Sequence, residues 1–101
     1  MDMYRIKARL NLIYDEFLAH ENFPQIKDHK PKLMALFLNQ ADKLFRSGYS
    51  VSGHLGVYTY YKNHNKILEI NLNEAPEFSD RENFINWFAE KIYEGMTNLG
   101  Q

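Results

Sequence analysis

A chain of 101 residues with 45 % hydrophobic and 15 % aromatic content holds one core and too many core formers to stay disordered. Its formal net charge of -1 argues against a protein devoted to gripping a phosphate backbone, and the absence of cysteine excludes disulfide and thiol chemistry and favours a cytoplasmic home. The opening Met1-Asp2-Met3-Tyr4-Arg5 lacks the basic and then apolar layout of a secretory signal, and no apolar run approaches the ~20 residues that span a bilayer.

The first helix is expected over about residues 2 to 20. Met3, Ile6, Leu10, Ile13 and Phe17 recur at spacings of three and four, with Tyr14 and Leu18 widening the stripe. So short a seam suits a contact inside the fold better than a coiled coil. His20 to Lys30 contains Pro24, shows no period and reads as a loop, after which Asp28 is the expected cap of a second helix that carries Pro31 in its first turn. Leu33 to Leu38 is unbroken by polar residues, which places this helix at the centre of the fold or at an oligomer interface. Arg46 suits the helix end and Gly48 suits the left-handed residue that terminates it.

Tyr49 to Gly53 reads either as a short first strand or as the approach to a hairpin, with glycines 48, 53 and 56 marking bends. Two β-rich runs then flank Asn63-His64-Asn65. A turn of two or four residues sets Val57, Thr59 and Tyr61 on one face with Leu68, Ile70 and Leu72, and leaves Tyr58 and Tyr60 on the other face, half-exposed. A three-residue turn reverses the tyrosines. The first arrangement is preferred because it gathers the β-branched pair with the aliphatic trio. Ser79-Asp80-Arg81-Glu82 reads as a capping box opening a last helix, whose buried face is Phe84, Ile85, Phe88, Ile92 and Met96. The expected architecture is therefore one α+β domain over residues 1 to 101: two N-terminal helices, a β-hairpin or short antiparallel meander, and a C-terminal helix around one core. Two strands alone are marginal in water, so a hairpin edge left open would seek another strand.

No catalytic, metal or phosphate-binding motif stands out. His20, His29, His54 and His64 never pair at one helical turn, the serines lack an elbow, and Ser52-Gly53-His54-Leu55-Gly56 leads into a strand without the Lys-Ser/Thr ending of a phosphate loop. The expectation is a small protein without enzymatic activity, metal or cofactor that binds another protein, as an inhibitor, immunity factor or adaptor. Surplus aromatics supply the expected surface: Tyr58, Tyr60, Trp87 and Tyr93. Homodimerisation is compatible with the apolar second helix and an open edge.

The alternative is a nucleic-acid surface built from Arg5, Arg9, Lys27, Lys30 and Lys32, with tyrosines as stacking platforms. Residues 1 to 47 carry eight Lys/Arg against six acids, whereas Glu69 to Glu94 carries seven acids against two bases. Such a gradient could orient a charged partner, but the need of helices and loops for solvated faces is the preferred explanation.

Overall fold

The computed structural model describes residues 2 to 46 and 48 to 100. Helix α1 spans Met3–Ala19, α2 Phe23–Ile26, α3 Lys30–Ala41 and α4 Arg81–Asn98, and strands β1 Ser50–His54, β2 Val57–Lys62 and β3 Asn65–Asn71 form one antiparallel sheet in the order β1-β2-β3. The fold is α+β, with a meander between the helical elements. No helix among the described residues is long and apolar enough to cross a membrane.

The seam of α1 packs as its spacing predicts. Ile6, Leu10 and Tyr14 are buried, Met3, Ile13 and Phe17 are partly so, and the helix lies against α4 and α3. Asp2 caps it by accepting from the Arg5 backbone at 2.9 Å. The region from His20 to Lys30 is more ordered than a loop: Phe23 and Pro24 open the single turn of α2, where a proline lacks a donor that no carbonyl would have received, and Phe23 and Ile26 turn onto the core. Asp28 does not cap α3. His29 occupies that position without a side-chain bond, and Pro31 sits in the first turn. Leu33, Met34, Phe37, Leu38 and Ala41 of α3 are buried and share one face, whereas Leu36 of the same apolar run is 38 % exposed, so the run is covered on one side and not all round.

Helix α3 tightens into a 3-10 turn over Asp42–Phe45. Arg46, with φ of 66°, closes that turn before Gly48 adds a second positive φ of 89°. The chain therefore reverses through two left-handed residues where the sequence suggested Gly48 alone.

The meander corrects the expected tyrosine faces. The β2–β3 turn is the two-residue Asn63-His64, both left-handed, and Lys62 pairs with Asn65 and Tyr61 with Lys66. Beyond that point the register slips, because Tyr60 pairs with Leu68 and Tyr58 with Ile70, leaving Ile67 as the extra residue of a β-bulge. One inserted residue exchanges the faces of everything beyond it. Leu68 and Ile70 thus face the core together with Tyr58 and Tyr60, and Tyr60 is 0 % exposed. The unpaired Ile67 carbonyl accepts from the Asn98 side chain of α4, which ties the bulge to the helix.

The capping box also does not form. Helix α4 starts at Arg81 with Asp80 in the cap position, and the Asp80 carboxylate accepts from the Asn83 side chain at 2.8 Å. The buried face of α4 is the expected one, joined by Ala89 and Gly95. Tyr14 and Phe78 stack at 4.1 Å, and the Tyr14 hydroxyl donates to the Phe78 carbonyl at 2.6 Å, holding the connection before α4 against α1. Arg81 covers the Tyr14 ring at 4.4 Å and reaches Asp15 at 2.8 Å. Arg81→Ala therefore loses both contacts, for an expected cost of about 1–2 kcal/mol in urea unfolding.

Candidate interaction surface

The outermost strand, β1, exposes all five of its residues, and among the described residues no further strand pairs with its far edge. Its sequence Ser-Val-Ser-Gly-His holds no charge and no proline, and its pairing with β2 runs without a bulge from Ser50 with Tyr61 to His54 with Val57. Most devices that protect a sheet edge are missing; shortness is the one present. The opposite edge differs, because α4 packs on β3 and engages the Ile67 carbonyl.

Strands β1 and β2 are joined by Leu55 and Gly56, with φ of 51° and 83°. Such a two-residue turn needs positive φ at both positions, which glycine and asparagine supply readily and leucine adopts at a cost of about 1–2 kcal/mol. Leu55 is also 82 % exposed, so no burial of its own side chain repays that strain. The turn is braced from behind: the Asn73 side chain donates to the Leu55 carbonyl at 3.1 Å, and the Leu72 backbone donates to the Gly56 carbonyl at 2.8 Å. An apolar side chain is thus presented to solvent on a rigid support.

Tyr58 lies beside this turn. Its ring covers Gly53 so closely that a Cβ there would fall 2.6 Å from Cε2, so the glycine is required by close approach. With Pro31, Met34, Gly56 and Leu72, Tyr58 walls a shallow cavity of about 260 Å³ next to Lys30. The Lys30 ammonium is fixed by the Ala75 carbonyl at 3.0 Å and Glu77 at 3.1 Å. An exposed backbone edge, an apolar knob and a half-buried aromatic thus lie on one hairpin, an arrangement that can receive an added strand and seat an apolar side chain.

The four aromatics expected to share a binding surface do not meet there. Tyr60 has no surface to offer. Its hydroxyl donates at 2.9 Å to Asp42, and Tyr49 donates to the same residue, at 3.2 Å to the carbonyl and 3.4 Å to the carboxylate. Burial pushes the Asp42 carboxyl above its ordinary value, while the bonds from Tyr60 and Tyr49 and the charge of Lys43 hold it down. Burial and Asp42 together raise the Tyr60 phenol. This group joins the 3-10 turn to the sheet and lines none of the cavities described here. Trp87 is half-buried on α4, edge-on to Phe88 at 5.1 Å and covered by Lys91. Tyr93 is exposed, but six residues further along the helix place it on another side from Trp87.

The basic residues of the alternative surface divide as well. Lys27 and Lys30 line a cavity of about 380 Å³ with Phe23 and Phe78, whereas Lys32 lines a different groove with Phe17, Ile26 and Leu36. Arg5 and Arg9 are exposed on α1. Among the described residues no three His, Asp or Glu side chains stand close enough to hold a metal ion. The chain matches no family model, no curated protein and no solved structure. Its function has to be argued from its own surface.

Sequence reasoning missed Leu55 and Val51 because it asked which aromatics the core could spare. The signal was present as Leu55-Gly56 just ahead of the first β-rich run, with a leucine where the turn prefers asparagine.

Proposed function

We propose that this protein is a small docking module without enzymatic activity, which binds another protein chain through the β1–β2 hairpin. The observation that carries this reading is Leu55, exposed, left-handed and braced beside an open strand edge. Strain held at an exposed apolar residue is a poor use of stability in a turn whose only task is to reverse the chain. Backbone bonds to β1 supply affinity in such a complex, and Leu55 with Tyr58 supplies selectivity. The nucleic-acid reading has less support, since Lys27 and Lys30 line one groove, Lys32 another, and Arg5 and Arg9 neither of them.

Affinity capture from a lysate of the source organism, with nuclease present, tests the reading. Wild type should retain a specific protein that both Leu55→Asp and Val51→Pro release; equal capture by all three overturns it. Leu55→Asn should meanwhile raise stability by about 1 kcal/mol, because asparagine adopts the left-handed conformation more readily. Urea unfolding measures this, and an unchanged midpoint would show that the turn stores no strain.

A further inference from the structure

Resting on that docking reading, we propose that the chain the hairpin receives is a second copy of this protein, added antiparallel along β1 about a two-fold axis at Ser52. In a two-residue hairpin the residues flanking the turn exchange both backbone bonds, so His54 is bonded to Val57, and alternation makes Ser52 and Ser50 face β2 likewise. Val51 and Gly53 then direct their N–H and C=O groups outward. Placing Ser52 opposite its own image sets Val51 against Gly53 of the second copy and Gly53 against Val51. Both are bonded pairs, and between them they consume every outward group of the two strands in four hydrogen bonds.

The same register finds neighbours for the apolar residues the hairpin exposes. Val51, 44 % exposed, shares the core-side face of the sheet with Gly53 and Tyr58, because Val51 pairs with Tyr60 and Gly53 with Tyr58. In the dimer Val51 lies over the bare glycine of the other copy and against the Tyr58 ring that covers it. Leu55 comes abreast of Tyr49 of the other copy, whose ring is half-buried. Ser50 faces His54. No charged residue lies on either strand, so the pairing brings no like charges together. A register shifted by two residues sets Val51 or Gly53 opposite its own image and the other opposite Tyr49 or Leu55, outside the strand, and one shifted by a single residue opposes outward to inward groups.

The axis at Ser52 makes the arrangement testable by position. Wild type in a sedimentation equilibrium concentration series should reach twice the 12.0 kDa mass of one chain. Ser52→Lys and Ser52→Glu lie on the face away from the core and should each stay folded by circular dichroism but monomeric, since each opposes like charges at the axis. Mixing the two variants should restore the dimer. The chain has no native cysteine, so Ser52→Cys is a clean reporter: at a non-bonded pair the two Cα atoms lie within disulfide range. Under mild oxidation it should cross-link roughly tenfold or more faster than Ser50→Cys or His54→Cys, because opposed thiols react at high effective concentration.

A wild-type protein that stays monomeric overturns the inference, as does a dimer unmoved by Ser52→Lys, or equal cross-linking at all three positions. A monomer that still captures a partner dependent on Leu55 and Val51 removes the second copy and leaves the docking reading in place. A monomer whose variants capture everything that wild type captures removes both.

Discussion

Tyr60→Ala should cost about 3–5 kcal/mol of stability, the range for emptying a wholly buried aromatic site. Two losses combine. The ring packs edge-on against Phe45 at 5.4 Å and tilted against Tyr49 at 5.7 Å, and the hydroxyl serves the buried Asp42 carboxylate. Tyr60→Phe separates them, since it retains the ring and removes only the donor, for an expected cost of about 1–3 kcal/mol near neutral pH. The pH dependence carries the diagnosis. A carboxyl whose folded pKa exceeds its unfolded value contributes stability that is complete below the unfolded value and is lost as the pH rises through the folded one. Burial is the largest influence on Asp42 and raises it, whereas the Tyr60 bond lowers it, so Tyr60→Phe raises it further. The loss of stability then continues to higher pH in the variant. Its deficit relative to wild type should be small where Asp42 is protonated in both and should widen toward neutrality. Urea unfolding of the two proteins across that range measures the widening, and Asp42→Asn, which cannot titrate, should abolish it. A deficit independent of pH would mean that Asp42 carries no charge at neutrality.

The same node explains why the tyrosine faces were not legible. Parity counted from Asn63-His64 is a local argument, and the turn it assumes is present. What reverses the faces is a single extra residue at Ile67, kept because distant groups reward it: Asp42 accepts from Tyr60, Asn98 takes the Ile67 carbonyl, and Leu68 and Ile70 bury against helices. None of these partners lies within the hairpin, so no pattern inside the hairpin announces them. By contrast, the seams of α1 and α4 were legible, because a helix repeats its buried face every three or four residues and both stripes follow that period. End signals fell between the two. Asp28 and Ser79 each have a capping chemistry, yet α3 and α4 begin two residues beyond them, at Lys30 and Arg81, and packing rather than cap preference sets those starts. The candidate surface was only half legible: an open edge was anticipated, while Val51 and Leu55, the apolar residues exposed beside that edge, are not aromatic and were not considered.

Gly95→Ala tests how tightly the node is closed from its other side. In an ordinary helix interior this change stabilises by about 1 kcal/mol, because glycine gives up more backbone freedom than alanine does. Here a Cβ would land on the Phe45 ring, well inside contact distance, and 3.0 Å from the Leu68 Cδ2 atom. Leu68 could yield by a rotamer change. Phe45 is held more firmly, being fully buried with Tyr49 and Tyr60 edge-on to it, and Tyr60 in turn is anchored on Asp42. Overpacking of such a site typically costs about 1–3 kcal/mol, so the propensity gain is overridden and the variant should unfold at lower urea. Gly95→Val enlarges the clash and forfeits the propensity gain, and its loss should be the greater. Because Phe45 touches the sheet through Tyr60, the displaced ring should disturb β2 before it disturbs α1; amide exchange of the β2 ladder should accelerate in Gly95→Ala while that of Ile6 to Tyr14 keeps more of its protection. A stabilised Gly95→Ala would show instead that Phe45 moves freely, and the Asp42 node would then not be what fixes the sheet to the 3-10 turn.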